Sequence, residues 1–201
     1  MASKYVVTPV ARLAFPALFT PQVNKQAPNA APMYGCTLLI PKNLVGKDKE
    51  AFDRIVALVT EAARDEFGDK LKDPKFRAAL RNPVQDGDTK AEWDGYAGHH
   101  FVRCKSKLQP TILGADNNPI DKMNQDRIYA GCYVRANINA FAYDSNGNRG
   151  VSIWFNAIRF EADGEPFSGR IDAERTFGKP LATGADNPAN YAGASASPFD
   201  T

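Results

Sequence analysis

The sequence has little of what usually carries chemistry. Three cysteines, Cys36, Cys104 and Cys132, are scattered over 201 residues and none forms a CxxC pair. An odd, widely spaced set excludes a disulfide framework and the common zinc patterns. It fits thiols kept reduced inside a cell, as small buried side chains. No apolar run approaches the roughly 18–20 residues that span a bilayer. No charged-then-apolar leader precedes the strand-like sequence that starts at Tyr5. A Walker loop, GxSxG and HExxH are all missing, as is any internal repeat. These absences remove the enzymes recognised by motif, and no cofactor is expected.

What is present is 43% apolar and 10% aromatic residues, enough for one domain with a substantial core. The 25 basic and 23 acidic residues almost cancel, but they are not evenly spread. Residues 1–46 hold Lys4, Arg12, Lys25 and Lys42 and no acid. Residues 101–159 hold eight basic and four acidic residues, whereas residues 47–94 hold ten basic and twelve acidic. Both basic segments are strand-rich. A near-neutral chain can therefore present a local positive surface, and a polyanion meets only the local surface.

Along the chain, Tyr5 to Phe15 reads as a strand that Pro9 places at an edge or bend. Residues 20–32, rich in Pro, Asn, Ala and Gln, read as a loop. Met33 to Ile40 is a second strand. Gly46 opens the clearest helix, with Asp48 as N-cap. Phe52, Ile55, Val56, Val59, Ala62, Ala63 and Phe67 form one stripe along it, and Gly68 stops it. A short helix is expected from Pro74 to Leu80, and a polar loop over residues 82–98. Phe101 to Lys107 and Thr111 to Leu113 follow as strands, then Cys132 to Asp144 and Arg149 to Phe160. Residues 1–179 are expected to form the domain. Of the 22 residues from 180 to 201, 17 are Ala, Pro, Gly, Ser, Thr or Asn, which predicts a disordered tail whose only charged side chains are Asp186 and Asp200.

Asn146-Gly147 between the last two strands is a hairpin signal, and a two-residue turn there makes opposed residue numbers sum to 293. One face then pairs Ala142 with Val151, Ala140 with Ile153, Ile138 with Phe155 and Ala136 with Ala157, all apolar. The other pairs Phe141 with Ser152, Asn139 with Trp154, Asn137 with Asn156 and Arg135 with Ile158, with Tyr133 and Tyr143 alongside. A face meant for water needs no such aromatics, and a core face takes neither Arg135 nor three Asn. Rings interleaved with amides and a cation suit a splayed single strand, whose bases stack on the rings while its phosphates meet the charge. The strand at 101–107 adds Arg103, Lys105 and Lys107 at alternate positions, with Phe101 at their head. The candidate binding residues are thus Phe101, Arg103, Lys105, Lys107, Tyr133, Arg135, Asn137, Asn139, Phe141, Tyr143 and Trp154. Two other readings compete. Asp86, Asp88, Glu92 and Asp94, followed by His99 and His100, suggest a metal-dependent DNA-processing enzyme, although these carboxylates lack EF-hand spacing. Alternatively, the aromatic face is a subunit contact of a structural virion protein.

Several runs together resemble one family. They are Tyr96-Ala97-Gly98-His99-His100-Phe101-Val102, Lys105-Ser106-Lys107 with Pro110, Ala130-Gly131-Cys132-Tyr133-Val134-Arg135-Ala136, and Asn146-Gly147-Asn148-Arg149-Gly150-Val151. Leu38-Leu39-Ile40-Pro41-Lys42, Asp86-Gly87-Asp88 and Asp163-Gly164-Glu165-Pro166 belong to the same set. The chain from about Arg12 to Phe177 is similar to the tailed-phage single-stranded DNA-binding proteins. That resemblance implies an OB-like five-stranded barrel and sequence-nonspecific binding of single-stranded DNA. It further implies a part in phage replication or recombination in the host cytoplasm. The fold expected is mainly β with one long helix. An OB fold usually carries its helix between the third and fourth strands. Here the helix reads between the second and third, so either the first strand is split or the fold is a variant. Partners other than DNA would be replication or recombination proteins met through the tail.

Overall fold

A computed structural model describes residues 5–23, 29–145 and 147–167. The expected tail over 180–201, and the last part of the expected domain up to 179, lie outside the described residues. Among the described residues, eight strands and two α-helices follow in the order β1 (Val6–Val7), β2 (Ala11–Gln22), β3 (Met33–Pro41), α1 (Gly46–Phe67), α2 (Pro74–Ala79), β4 (Val84–Asp86), β5 (His99–Ser106), β6 (Thr111–Leu113), β7 (Tyr133–Ser145) and β8 (Asn148–Ala162). The expected fold, mainly β with one long helix, is the one adopted. Five strands form a partial ring, β7-β2-β3-β5-β8, in which β8 returns to pair with β7. The two weakest seams are β2–β7, antiparallel, and β5–β8, parallel, with two residue pairs each. No helix among the described residues is long and apolar enough to cross a membrane.

The first strand is indeed split. The strand is interrupted over residues 8–10, around Pro9, although the Thr8 N–H still donates to the Ala136 carbonyl oxygen, and β1 and β2 both lie against β7. β2 then runs to Gln22, into sequence expected to be loop. Counted along the ring alone, α1 falls between its second and third strands.

Alternation along the strands builds the core inside the ring. Leu13, Leu18, Leu38, Ile40, Val102, Val134, Ile138, Ile153, Phe155 and Ile158 are all buried there, and Ile55 of α1 packs onto them. Each such side chain contributes about 1.5–3 kcal/mol on burial. The three cysteines are buried as expected, with Cys36 and Cys104 directly opposed on β3 and β5. Burial pushes the Cys132 thiol up to about 11.

A second, smaller core lies outside the ring. Ala14, Leu39, Tyr96 and Phe101 are buried together with Phe167 against them. The segment between β4 and β5 folds back over the outer face of β2, β3 and β5 at that end. Gly87 permits this, because a Cβ there would come within 2.3 Å of the Tyr96 carbonyl oxygen. Leu38-Leu39-Ile40 is therefore apolar without interruption because both faces of β3 are covered there.

α1 begins at Gly46 with Val45, not Asp48, in the cap position, and no side chain caps it. Asp48 lies in the first turn and pairs with Arg135 instead. Gly68 ends the helix at φ +48°, as its position predicts.

Candidate nucleic-acid interface

The hairpin register holds where the turn controls it. Ser145 opposes Asn148, Phe141 opposes Ser152, Asn139 opposes Trp154 and Ile138 opposes Phe155, all at the expected sum. Beyond Phe155 the register moves by one, so Asn137 opposes Ala157, Ala136 opposes Ile158 and Arg135 opposes Arg159. Asn156 is the extra residue, exposed, its side-chain amide Nδ2 donating to the Asn137 Oδ1 at 3.2 Å. The bulge corrects the expected pairing for physical cause. It turns Ile158 from the polar face into the core, where it is 1% exposed.

Most of the expected cations and rings come together on the outer face of β5, β8 and β7. Arg103, Lys105 and Lys107 are exposed, while Val102, Cys104 and Ser106 between them are buried. Lys105 sits beside Trp154 in the parallel β5–β8 seam. The Phe141 ring meets Trp154 edge-on at 4.9 Å and Tyr143 at 6.5 Å. The Lys107 ammonium stands 5.9 Å from the centre of the indole. Among the described residues, neither the Trp154 Nε1 donor nor the Asn139 Oδ1 acceptor opposite it has a partner, though both are shielded from water. An unpaired buried polar atom costs about 1–3 kcal/mol.

Other candidates are placed elsewhere. Phe101 is 1% exposed in the small outer core, beneath Tyr96, so its ring cannot receive a base. The alternation that aims it outward is right, and the folded-back segment covers it. Tyr133 is 37% exposed but lies ten residues along β7 from Tyr143, with the Arg12 guanidinium 5.7 Å from its ring centre. Arg135 is held by two acids, Asp48 at 3.1 Å and Glu161 at 3.9 Å. Asn137 takes the hydrogen bond from Asn156.

The acidic loop has a structural occupation. Lys42 bonds both Asp86 and Asp88 at 2.5 Å, and Asp88 also accepts from the Gly98 backbone N–H. Those hydrogen bonds from Lys42 hold both carboxyls below the usual carboxylate range. His100 stacks on Phe52 at 4.9 Å, and the His99 Nδ1 lies 2.8 Å from the Ala97 carbonyl oxygen. Among the described residues, no group of three or more His, Cys, Asp or Glu is placed to hold a metal ion.

Sequence reasoning missed Phe15 and Trp93. Phe15 is 61% exposed and Trp93 41%, and their rings meet edge-on at 5.5 Å.

A family model described as the Enterobacter phage Enc34 ssDNA-binding protein matches residues 4–188. The chain belongs to that family. A relative, protein p50 of Acyrthosiphon pisum secondary endosymbiont phage 1, is 34% identical over 163 residues, covering 79% of this chain and 83% of its own. The fold is shared with the single-stranded DNA-binding protein of bacteriophage Enc34 solved in complex with ssDNA. That likeness has a TM-score of 0.68 at 20% identity and covers 83% of this chain and 91% of that one. It is shared also with gp2.5, a single-stranded DNA-binding protein encoded by bacteriophage T7, with a TM-score of 0.56 at 13% identity over 86% of this chain and 99% of that one.

Proposed function

We propose that this protein binds single-stranded DNA without sequence preference and coats it during phage replication or recombination in the host cytoplasm. It acts by binding alone, with no cofactor. The observation that carries this reading is the contiguity of Arg103, Lys105 and Lys107 with Trp154, Phe141 and Tyr143 on one outer face. Rings stack on any base, because every base has a π-face, and cations at alternate positions follow a phosphate backbone. A duplex keeps its bases stacked inside and offers such a platform only its phosphates. Membership of the Enc34 family supports the same reading.

The test is a titration with single- and double-stranded oligonucleotides at several salt concentrations, with and without divalent ions. Tight, salt-sensitive binding of the single strand, left intact and unaffected by metal, is expected. Strand cleavage on adding a divalent ion would return the reading to a DNA-processing enzyme. Self-association that survives high salt, without strand binding, would return it to a virion component.

A further inference from the structure

We propose that Phe15, buttressed by Trp93, is a second base-stacking platform, and that the groove beside it takes one nucleotide of the strand that also crosses Trp154. This rests on the single-strand reading and extends the path from β8 and β5 across β3 to β2. Simple alternation would turn Phe15 inward beside Leu13. Instead, the pairing of β2 with β3 shifts by one residue between Ala14 and Ala17, and Phe15 takes φ +48°. A residue with a Cβ adopts that left-handed backbone only at a cost, and strain of this kind gathers at working sites. Its result here is a phenyl ring 61% exposed to water.

The ring is held in place. Trp93 meets its edge at 5.5 Å, and Trp93 in turn rests on Tyr96 at 5.4 Å with the Lys90 ammonium 4.5 Å from its own centre. Beside the pair lies an open groove of about 700 Å³ lined by Gly35, Thr37, Arg103 and Lys105. Gly35 opposes Lys105, and Lys105 opposes Trp154, so the groove and the indole are two strand spacings apart, about 10 Å. The same two cations therefore lie between both platforms. Gly35 keeps the groove low, since a Cβ there would stand 3.2 Å from the Cys104 carbonyl oxygen.

The decisive variant is Phe15→Gly, which removes the ring and suits the positive φ. Its melting temperature should hold or rise while affinity for oligo-dT falls about 5- to 150-fold, the range of one lost base stack. In a Trp154→Phe background Trp93 is the sole tryptophan, and its fluorescence should respond to oligo-dT unless Phe15→Gly is also present. Wild-type affinity in Phe15→Gly, or Trp93 emission indifferent to DNA, overturns the inference. If Trp154→Ala weakens binding and Phe15→Gly does not, the second platform alone is refuted. If the unaltered protein binds no single strand, the single-strand reading falls and this inference with it.

Discussion

The cations give the sharpest discrimination, because the structure divides four residues of like charge into two groups. Arg103, Lys105 and Lys107 are exposed on one outer face and, among the described residues, form no ion pair. Arg135 stands between Asp48 and Glu161, so its charge is already answered within the fold. A cation that neutralises a phosphate releases a counterion, which steepens the log–log dependence of affinity on salt by about 0.7 for a single strand. The triple variant Arg103→Ala/Lys105→Ala/Lys107→Ala should therefore flatten that slope by about 2. Between about 50 and 200 mM salt, the wild type would lose roughly 20-fold more affinity than the triple variant does. Arg135→Ala should leave the slope unchanged, and losing its half-exposed ion pair costs at most about 1 kcal/mol of stability. Fluorescence anisotropy of labelled oligo-dT at four or more salt concentrations measures both. An unchanged slope in the triple variant removes β5 from the interface. Flattening by Arg135→Ala equal to that of Lys105→Ala would show that the Asp48 pair opens to admit phosphate.

Other expectations follow from particular placements. Trp154→Ala should weaken oligo-dT binding by about 1–3 kcal/mol with little loss of melting temperature, and Tyr133→Ala, apart from the cluster, should weaken it less. Phe101→Ala should do the reverse, costing about 3–5 kcal/mol of stability in urea unfolding while the protein that remains folded binds normally. Deleting Asn156, the extra residue, would restore a uniform register while leaving Ile158 opposite Ala136 in the core. Stability in urea should therefore fall by less than the roughly 1.5–3 kcal/mol that exposing Ile158 would cost, and a loss of that full size would show that Asn156 is not the extra residue. Asp86 and Asp88 have folded-state values depressed by Lys42, so their contribution is present above their ordinary value of 3.8 and lost as pH falls through the depressed one. Lys42→Met should thus flatten the acid limb of melting temperature against pH, and an acid limb identical to wild type would deny the pair that role.

The parts of the fold legible in the sequence are those whose cause is local. Asn-Gly with strict alternation fixes a hairpin register because the turn geometry and the pleat act on adjacent residues. Arg103, Lys105 and Lys107 were legible for the same reason. The register then fails at Asn156, although a trace of that failure is present in the sequence. In the uniform register Ile158 faces Arg135 among polar residues, and an apolar residue out of phase is what an inserted residue leaves behind. Likewise Phe101-Val102 and Leu38-Leu39-Ile40 break alternation with apolar neighbours, which two-sided burial explains.

Phe101 and Phe15 exchange roles for one reason: whether an outward-facing ring stays exposed is settled by a segment distant in sequence. Phe101 points out as alternation requires, and the chain from Gly87 to Gly98 closes over it. Phe15 should point in, and a one-residue shift of β2 against β3 turns it out, to meet Trp93 from that same segment. The segment reads as a polar loop because its Gly, Asp and Lys carry no periodicity, yet its aromatics, Trp93 and Tyr96, do opposite things. Tyr96 seals the lower end of the outer face over Leu39 and Phe101, and Trp93 stops short and walls the open end. The boundary between covered and open sheet falls between Phe101 and Arg103, two residues on the same face of β5. Charge begins where the cover ends, and the strand's own sequence marks that point by passing from ring to guanidinium.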